Sequence, residues 1–184
     1  VNAIDDLEWH PTRKWDIRKI DKVDTVVLHT SDTYATLEQI NHYDIGPNHI
    51  SKKGCPHFTY HFHITYPNGM IYQANRLTDI VWHAKGANTR GIGIALQGKF
   101  FCFKRTGNFE QYSHSSLGEK QTRVDPSDAQ IVSTIQLLDY LKFEVSTITR
   151  FLGHCNVSPI TRKCDPGDTA YYLLQVYKTV EGIK

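Results

Sequence analysis

Between Gly153 and Gly167 the chain gathers one imidazole (His154), two thiols (Cys155 and Cys164), a lysine (Lys163) and a carboxylate (Asp165) into one short segment that closes on Pro166-Gly167. Divalent metals of intermediate softness, zinc foremost, favour such a mixture of N, S and O donors. A catalytic zinc usually takes three protein ligands and leaves a fourth position for water, so the segment needs a partner from elsewhere. The best candidate is His29, at the end of the apolar run Val26-Val27-Leu28. The third ligand is Asp165 or Cys164. A hydrolase of this kind also needs positive charge beside the oxyanion that forms at the attacked carbonyl. With Lys163 in that role, alternation along extended backbone puts residue 165 on the same side and Cys164 on the other. Asp165 is therefore favoured and Cys164 is its rival. Taken singly, each group has a plainer reading: a polar strand end, a turn-forming Asp before Pro-Gly, a small buried Cys.

Positioning these groups is the task of the surrounding elements. Thr25 to His29 is β-branched and apolar, a short buried strand. Ser31-Asp32-Thr33 is turn-like and precedes a helix over Leu37 to Tyr43, stopped by Gly46-Pro47. Phe58 to Thr65 and Met70 to Ala74 are strands joined through Tyr66-Pro67-Asn68-Gly69, a hairpin turn. Gly91 to Gly98 is a further strand whose glycines allow close approach of a backbone or ligand. Asp125-Pro126-Ser127-Asp128 opens a helix with Asp125 as N-cap, its inner face Ile131, Ile135, Leu138 and Leu141. Ile148 to Leu152 is the strand that delivers His154. A last helix starts at Asp168 or Thr169 and turns Leu173, Val176, Tyr177 and Val180 inward. Strands and helices interleave, so the expected class is α/β, one domain over 1–184 with a central mixed β-sheet flanked by helices. Residues 1–21 are expected to be an irregular arm and 99–123 a surface loop excursion. His29 and His154 both end strands, where α/β sheets build their ligand crevices.

The bulk composition narrows the choice of partner. A chain of 184 residues that is 40% hydrophobic and 22% charged can bury one ordinary core. A formal charge of +2 and the lack of a dense basic stripe argue against nucleic acid and anionic membranes. Lys99, Lys104 and Arg105 read as a solvated loop. No apolar stretch reaches the ~18 residues of a membrane span, and the start at Val1-Asn2-Ala3 does not read as a signal peptide. The 4 cysteines lack a C-x-x-C pair, and a disulfide scaffold is not expected at this size. Of the 10 histidines most are expected to be exposed or simply hydrogen-bonded. Within the strand over Phe58 to Thr65, Tyr60, Phe62 and Ile64 share one face and His61 and His63 the other. If the Tyr60 face looks into the site, His61 and His63 point away as structural or exposed residues. His57 reads as a loop residue.

Five pieces in order carry a family resemblance: Val27-Leu28-His29-Thr30-Ser31; Tyr60-His61-Phe62; Trp82-His83-Ala84-Lys85-Gly86; Gly91-Ile92-Gly93-Ile94; and Gly153-His154 with Lys163-Cys164-Asp165-Pro166-Gly167. Each alone is weak, but together they span about His29 to Gly167. The chain resembles the zinc-dependent N-acetylmuramoyl-L-alanine amidases, the family that includes phage lysozyme-type amidases and the catalytic peptidoglycan recognition proteins. The resemblance implies that fold and one Zn2+ per chain on His29, His154 and Asp165. It implies Tyr60 and Lys163 as catalytic residues, and His83 and Asn88 as substrate-binding residues on the cleft rim, with packing beneath Trp82 the competing place for His83. Some members use cysteine as third ligand, which keeps Cys164 open. The stretch from His154 to Lys163 is about one residue longer than the family's spacing. Many members carry a Glu where this chain has Ala95 or Gln97, although the phage-type branch lacks it.

The implied reaction is hydrolysis of the amide between the lactyl group of N-acetylmuramic acid and L-alanine of the stem peptide, by a monomer acting on the bacterial cell wall. It would be made in a host cytoplasm without a visible signal peptide, or secreted with a leader removed. A phage or prophage endolysin is the preferred setting, with a bacterial wall-remodelling or recycling amidase as the alternative. Three other readings compete: a peptidoglycan-binding module on the same fold that does not cut, a closed structural zinc knuckle of His154, Cys155 and Cys164, and a Cys-His thiol hydrolase.

Overall fold

The computed structural model of the protein describes residues 1–4, 6–102, 112–114 and 120–183. Its centre is the strand β2 (Thr25–Thr30). It runs parallel to β5 (Gly91–Leu96) on one side and to β8 (Arg150–Gly153) on the other. Beyond β5 lies β3 (Phe62–Ile64), also parallel to it, and then β4 (Ile71–Gln73), antiparallel to β3 as a hairpin requires. The two-residue β1 (Asn2–Ala3) closes that edge, for a sheet order of β1-β4-β3-β5-β2-β8. A separate hairpin pairs β6 (Tyr112–His114) with β7 (Lys120–Thr122). The expected mixed sheet and single α/β domain are present.

Period-two alternation gives this sheet two chemically different faces. Val26, Leu28, Phe62, Ile64, Ile92 and Ile94 turn to one side. There they meet Leu137, Leu138 and Leu141 of α2 (Asp128–Glu144), and Leu174 and Tyr177 of α4 (Asp168–Val180). Val27, His29, Gly93 and Ala95 turn to the other, which carries α1 (Leu37–Ile45) and the site. Gln130 sits at 0% exposure in α2 because its amide has work at two strand ends: Nε2 donates to the carbonyls of Ile64, 3.1 Å, and Gln97, 2.9 Å.

Several boundaries differ from expectation, each for a local reason. The strand over 58–65 shrinks to Phe62–Ile64, because Asn75 Nδ2 donates to the carbonyls of Phe58 and Tyr60 and bends that run out of the sheet. The N-cap of α2 is Ser127, not Asp125. Ser127 and Gln130 form a reciprocal capping box, and Asp125 instead accepts from Thr169 Oγ1. The inner face of α2 is rotated to Thr134, Leu137, Leu138 and Leu141, leaving Ile131 and Ile135 half-buried. In α4 the buried set is Ala170, Leu174 and Tyr177, and Val176 and Val180 face outward. Of the arm over 1–21, two residues pair with β4, Ile17 bridges to Asp79, and Trp15 is buried. Lys99 is buried rather than solvated, whereas Lys104 and Arg105 lie outside the described residues, as does most of the excursion over 99–123.

Candidate metal centre

Register decides the site. Leu28 of β2 is paired with Gly153 of β8, so the next residues along the two parallel strands, His29 (still paired with Ala95 of β5) and His154 (just past β8), stand side by side. Their rings lie 4.5 Å apart between centroids. β8 ends at Gly153, and His154 begins the single turn α3 (His154–Val157), so the imidazole stands at a carboxyl end of the sheet as the sequence predicts.

Asp165 arrives from the following turn and is held by its neighbours. Its carbonyl accepts from Cys155 N, 2.8 Å, and its Oδ1 from Thr30 N, 2.8 Å. That leaves Oδ2 facing the imidazoles, 2.9 Å from His154 Nδ1 and 3.6 Å from His29 Nδ1. Pro166-Gly167 closes the turn. Gly167 has φ 93°, and a Cβ there would stand 2.5 Å from Phe100 Cβ, so both the conformation and the space call for glycine.

One ligand atom from each of His29, His154 and Asp165 lies within 4.8 Å of the other two. Whether a cation suits the three is answered by their polar atoms. His29 is fully buried, and its Nδ1 has no hydrogen-bond partner among the described residues. Burial holds the His29 imidazolium down, with a pKa of about 4, so the ring is neutral and can ligate at pH 7. Burial by itself would raise the Asp165 carboxyl, but the hydrogen bond it accepts from His154 and its closeness to His29 outweigh it and keep the group ionised below the ordinary carboxylate range. Two imidazoles and one carboxylate fit the donor set of a three-ligand zinc site with one position left over.

Cys164 is not available as a ligand, because its sulfur is bonded to Cys102 in a disulfide. This corrects the expectation of Cys164 as rival third ligand, and a single bridge is not the disulfide scaffold that the chain's size argues against. The bridge does not serve a small core. It ties the segment after β5 to the ligand turn, where Asp168 N also donates to the Phe101 carbonyl. A zinc knuckle containing Cys164 falls with it, and Cys155 lies outside the cluster.

The remaining residues line up differently from their sequence reading. Tyr60 reaches the site from the bend before β3, its ring edge-on to His29 at 5.0 Å. Burial raises its pKa above the ordinary phenol value, so the hydroxyl keeps its proton and serves as a donor. Phe62 and Ile64 face the α2 side, so Tyr60 does not share their face. His61 is instead near His83, at 5.8 Å, and His63 packs edge-on to Phe58. Both are buried and neither belongs to the cluster. His57 is buried too, stacked on Trp9.

His83 stands behind His29 rather than on the rim, at 6% exposure, with Nδ1 3.1 Å from His29 Nε2 and Nε2 3.2 Å from the Gly91 carbonyl. The side-chain oxygen of Asn88 accepts from Ala84 N, 2.7 Å, which holds the 84–88 turn at the cleft wall. Lys163 lines the cleft and is exposed, but the segment before Asp165 is turned, not extended: Arg162 N donates to the Ser158 carbonyl and Asp165 N to that of Arg162. The alternation that linked Lys163 to Asp165 therefore does not apply. Sequence reasoning missed Arg162, whose positive charge opposes protonation of His29 and favours ionisation of Tyr60. The extra residue before Lys163 was the available signal. Asp44 was also missed. It is buried in the cleft wall and accepts from Thr59 N, 2.9 Å, and Thr59 Oγ1, 2.8 Å.

His154 and Asp165 line a cleft of about 1300 Å³, with His29 buried behind them. At the carboxyl ends of parallel strands in a mixed sheet, three donors that could hold one metal ion lie beside a cleft broad enough for a large substrate. Residues 19–168 match the family described as N-acetylmuramoyl-L-alanine amidase, and the chain belongs to that family of peptidoglycan amide hydrolases. No curated protein sequence matches it. The fold is similar to that of the N-acetylmuramoyl-L-alanine amidase LysC from Clostridium intestinale URNW, with TM-score 0.68, 20% identity, and coverage of 100% of this chain and 97% of that one. It is also similar to the Ph2119 endolysin from the Thermus scotoductus MAT2119 bacteriophage Ph2119, with TM-score 0.59, 20% identity and 89% and 88% coverage. A third similar structure is the drosophila peptidoglycan recognition protein SD, with TM-score 0.60, 19% identity and 90% and 86% coverage.

Proposed function

We propose that the protein is a zinc-dependent, endolysin-type amidase that cuts the bond between the lactyl group of N-acetylmuramic acid and L-alanine, with His29 Nδ1, His154 Nδ1 and Asp165 Oδ2 as the ligands. The observation that carries this reading is the buried, unpartnered His29 Nδ1 beside two further donors at the floor of a wide cleft. When bound there, zinc supplies Lewis acidity and a nucleophilic water at neutral pH.

The protein's own groups do the rest. The cleft admits a glycan strand with its peptide and holds the scissile carbonyl over the ligand trio. Arg162 and Lys163, both lining the cleft near Asp165, supply positive charge where the carbonyl oxygen becomes an oxyanion. Tyr60 keeps its proton because it is buried. It orients the attacking water and passes a proton to the departing amine.

The test is muropeptide release from purified peptidoglycan, read by mass spectrometry. Expected products are stem peptides with new L-alanine amino termini and uncut glycan left with free lactyl carboxyls; their release stops with a chelator, and zinc restores it. Full activity of metal-free protein, or cleavage within the glycan, would overturn the proposal.

A further inference from the structure

The buried column beneath His29 sets which of its nitrogens is bare. The Gly91 carbonyl can only accept, so the His83 Nε2 that lies 3.2 Å from it carries hydrogen. His83 is 6% exposed, and among the described residues no carboxylate bonds it; its polar contacts there are that carbonyl and His29. A ring buried this deeply beside a carbonyl and another imidazole, with no counter-charge bonded to it, is neutral. A neutral imidazole with hydrogen on Nε2 has a bare Nδ1, which must accept from its neighbour 3.1 Å away, His29 Nε2. His29 then has hydrogen on Nε2 and a lone pair on Nδ1, the atom that faces Asp165 and lacks a partner.

Two glycines make room for this arrangement. A Cβ on Gly93 would lie 2.6 Å from His83 Cγ, and one on Gly91 3.2 Å from His83 Nε2. The Gly-x-Gly run of β5 is therefore a bed for the His83 ring, and Gly91 also offers the carbonyl that orients it.

We propose that His83 is a positioning residue that locks His29 in the tautomer with hydrogen on Nε2, so that Nδ1 is presented bare to the cation. This role rests on the metal reading above and replaces the rim contact for His83. A carbonyl–imidazole–imidazole relay orients the ligand as a carboxylate does in other zinc sites.

The test joins long-range ¹H–¹⁵N NMR of the histidine rings in metal-free protein with zinc affinity measured against a chromophoric chelator. His83→Gln keeps a donor for Gly91 but has no acceptor where Nδ1 stood. His83→Asn offers Oδ1 there. The expected results are a single Nε2–H tautomer for His29 in the unsubstituted protein, mixed tautomers in His83→Gln with zinc binding weakened roughly 10–100-fold, and near-original values in His83→Asn. Hydrogen on His29 Nδ1 in the unsubstituted protein overturns the proposal even if neither variant folds. So does zinc affinity within about threefold of the original in a folded His83→Gln protein. A protein that takes up no zinc sinks the metal reading and this role together, whereas the other two outcomes sink this role alone.

Discussion

At the scale of single residues, the site separates groups that hold a cation from groups that use it. His29→Ala removes a buried ligand and is expected to abolish zinc retention as well as lysis, checked by metal analysis after dialysis. Tyr60→Phe leaves all three ligands in place. It is expected to lower kcat by roughly 10²-fold or more with zinc content unchanged, read by muropeptide release and metal analysis on the same sample. Arg162→Met is expected to cost more in kcat than Lys163→Met, because the charge of Arg162 acts on both His29 and Tyr60. Equal losses, or a larger one for Lys163, would return the oxyanion role to the lysine. Much of this was legible in the sequence, since donor types and strand-end positions pick out His29, His154 and Asp165. The disulfide at Cys164 was not, because pairing residues 102 and 164 depends on two loops meeting. Arg162 was hidden by the assumption of extended backbone where the chain turns.

At the scale of elements, the glycine bed in β5 and the acid in α1 can each be tested. Gly93→Ala forces a Cβ into His83 while the strand backbone itself tolerates alanine. A cost of about 1–3 kcal/mol is expected from the overpacking. The cost should nearly vanish in a His83→Ala background, a coupling that urea denaturation of the four proteins measures. Asp44 lies in the last turn of α1, where a negative charge opposes the helix dipole. Burial raises its pKa from 3.8 to about 6. The folded state thus holds a proton that the unfolded state releases between those values, and stability falls as pH rises through that window. Ionised Asp44 then costs about 3 kcal/mol above the folded pKa. Asp44→Asn keeps an acceptor for Thr59 and should gain on the unsubstituted protein by that amount between pH 4 and 7, most of it near the upper end. A gap that does not change with pH would contradict the buried carboxyl. Element types were readable from periodicity, but the shortened β3 was not, since the bend depends on Asn75 reaching back to Phe58 and Tyr60.

At the scale of the whole molecule, the two sheet faces answer acid differently. The α2 side is aliphatic and indifferent to pH, whereas His61 and His63, off that face, are buried neutral, with pKa values lowered by burial to about 3 and about 4. In the unfolded chain both titrate near the ordinary 6.5. As pH falls below that value the unfolded state takes up protons the folded state refuses. Each of these two rings costs up to about 1.4 kcal/mol of stability per pH unit between 6 and 4, and its share is complete above about pH 7. His63→Leu should make the protein's slope shallower by about that amount, measured by denaturant midpoints across pH, and its loss is cheap because both ring nitrogens of His63 lack partners among the described residues. Sequence reading reached the α/β class through interleaved strands and helices. It could not assign the faces, because β3 starts two residues later than Tyr60.

The pairing of Leu28 with Gly153 has one more consequence. No short stretch of this polypeptide contains the ligand trio, and a fragment or half-made chain that lacks either residue 29 or residues 154–165 cannot assemble it. A ribosome can carry most of this enzyme while its catalytic centre does not yet exist, so a cell making it meets the hazard only when translation has passed residue 165 and β8 has docked.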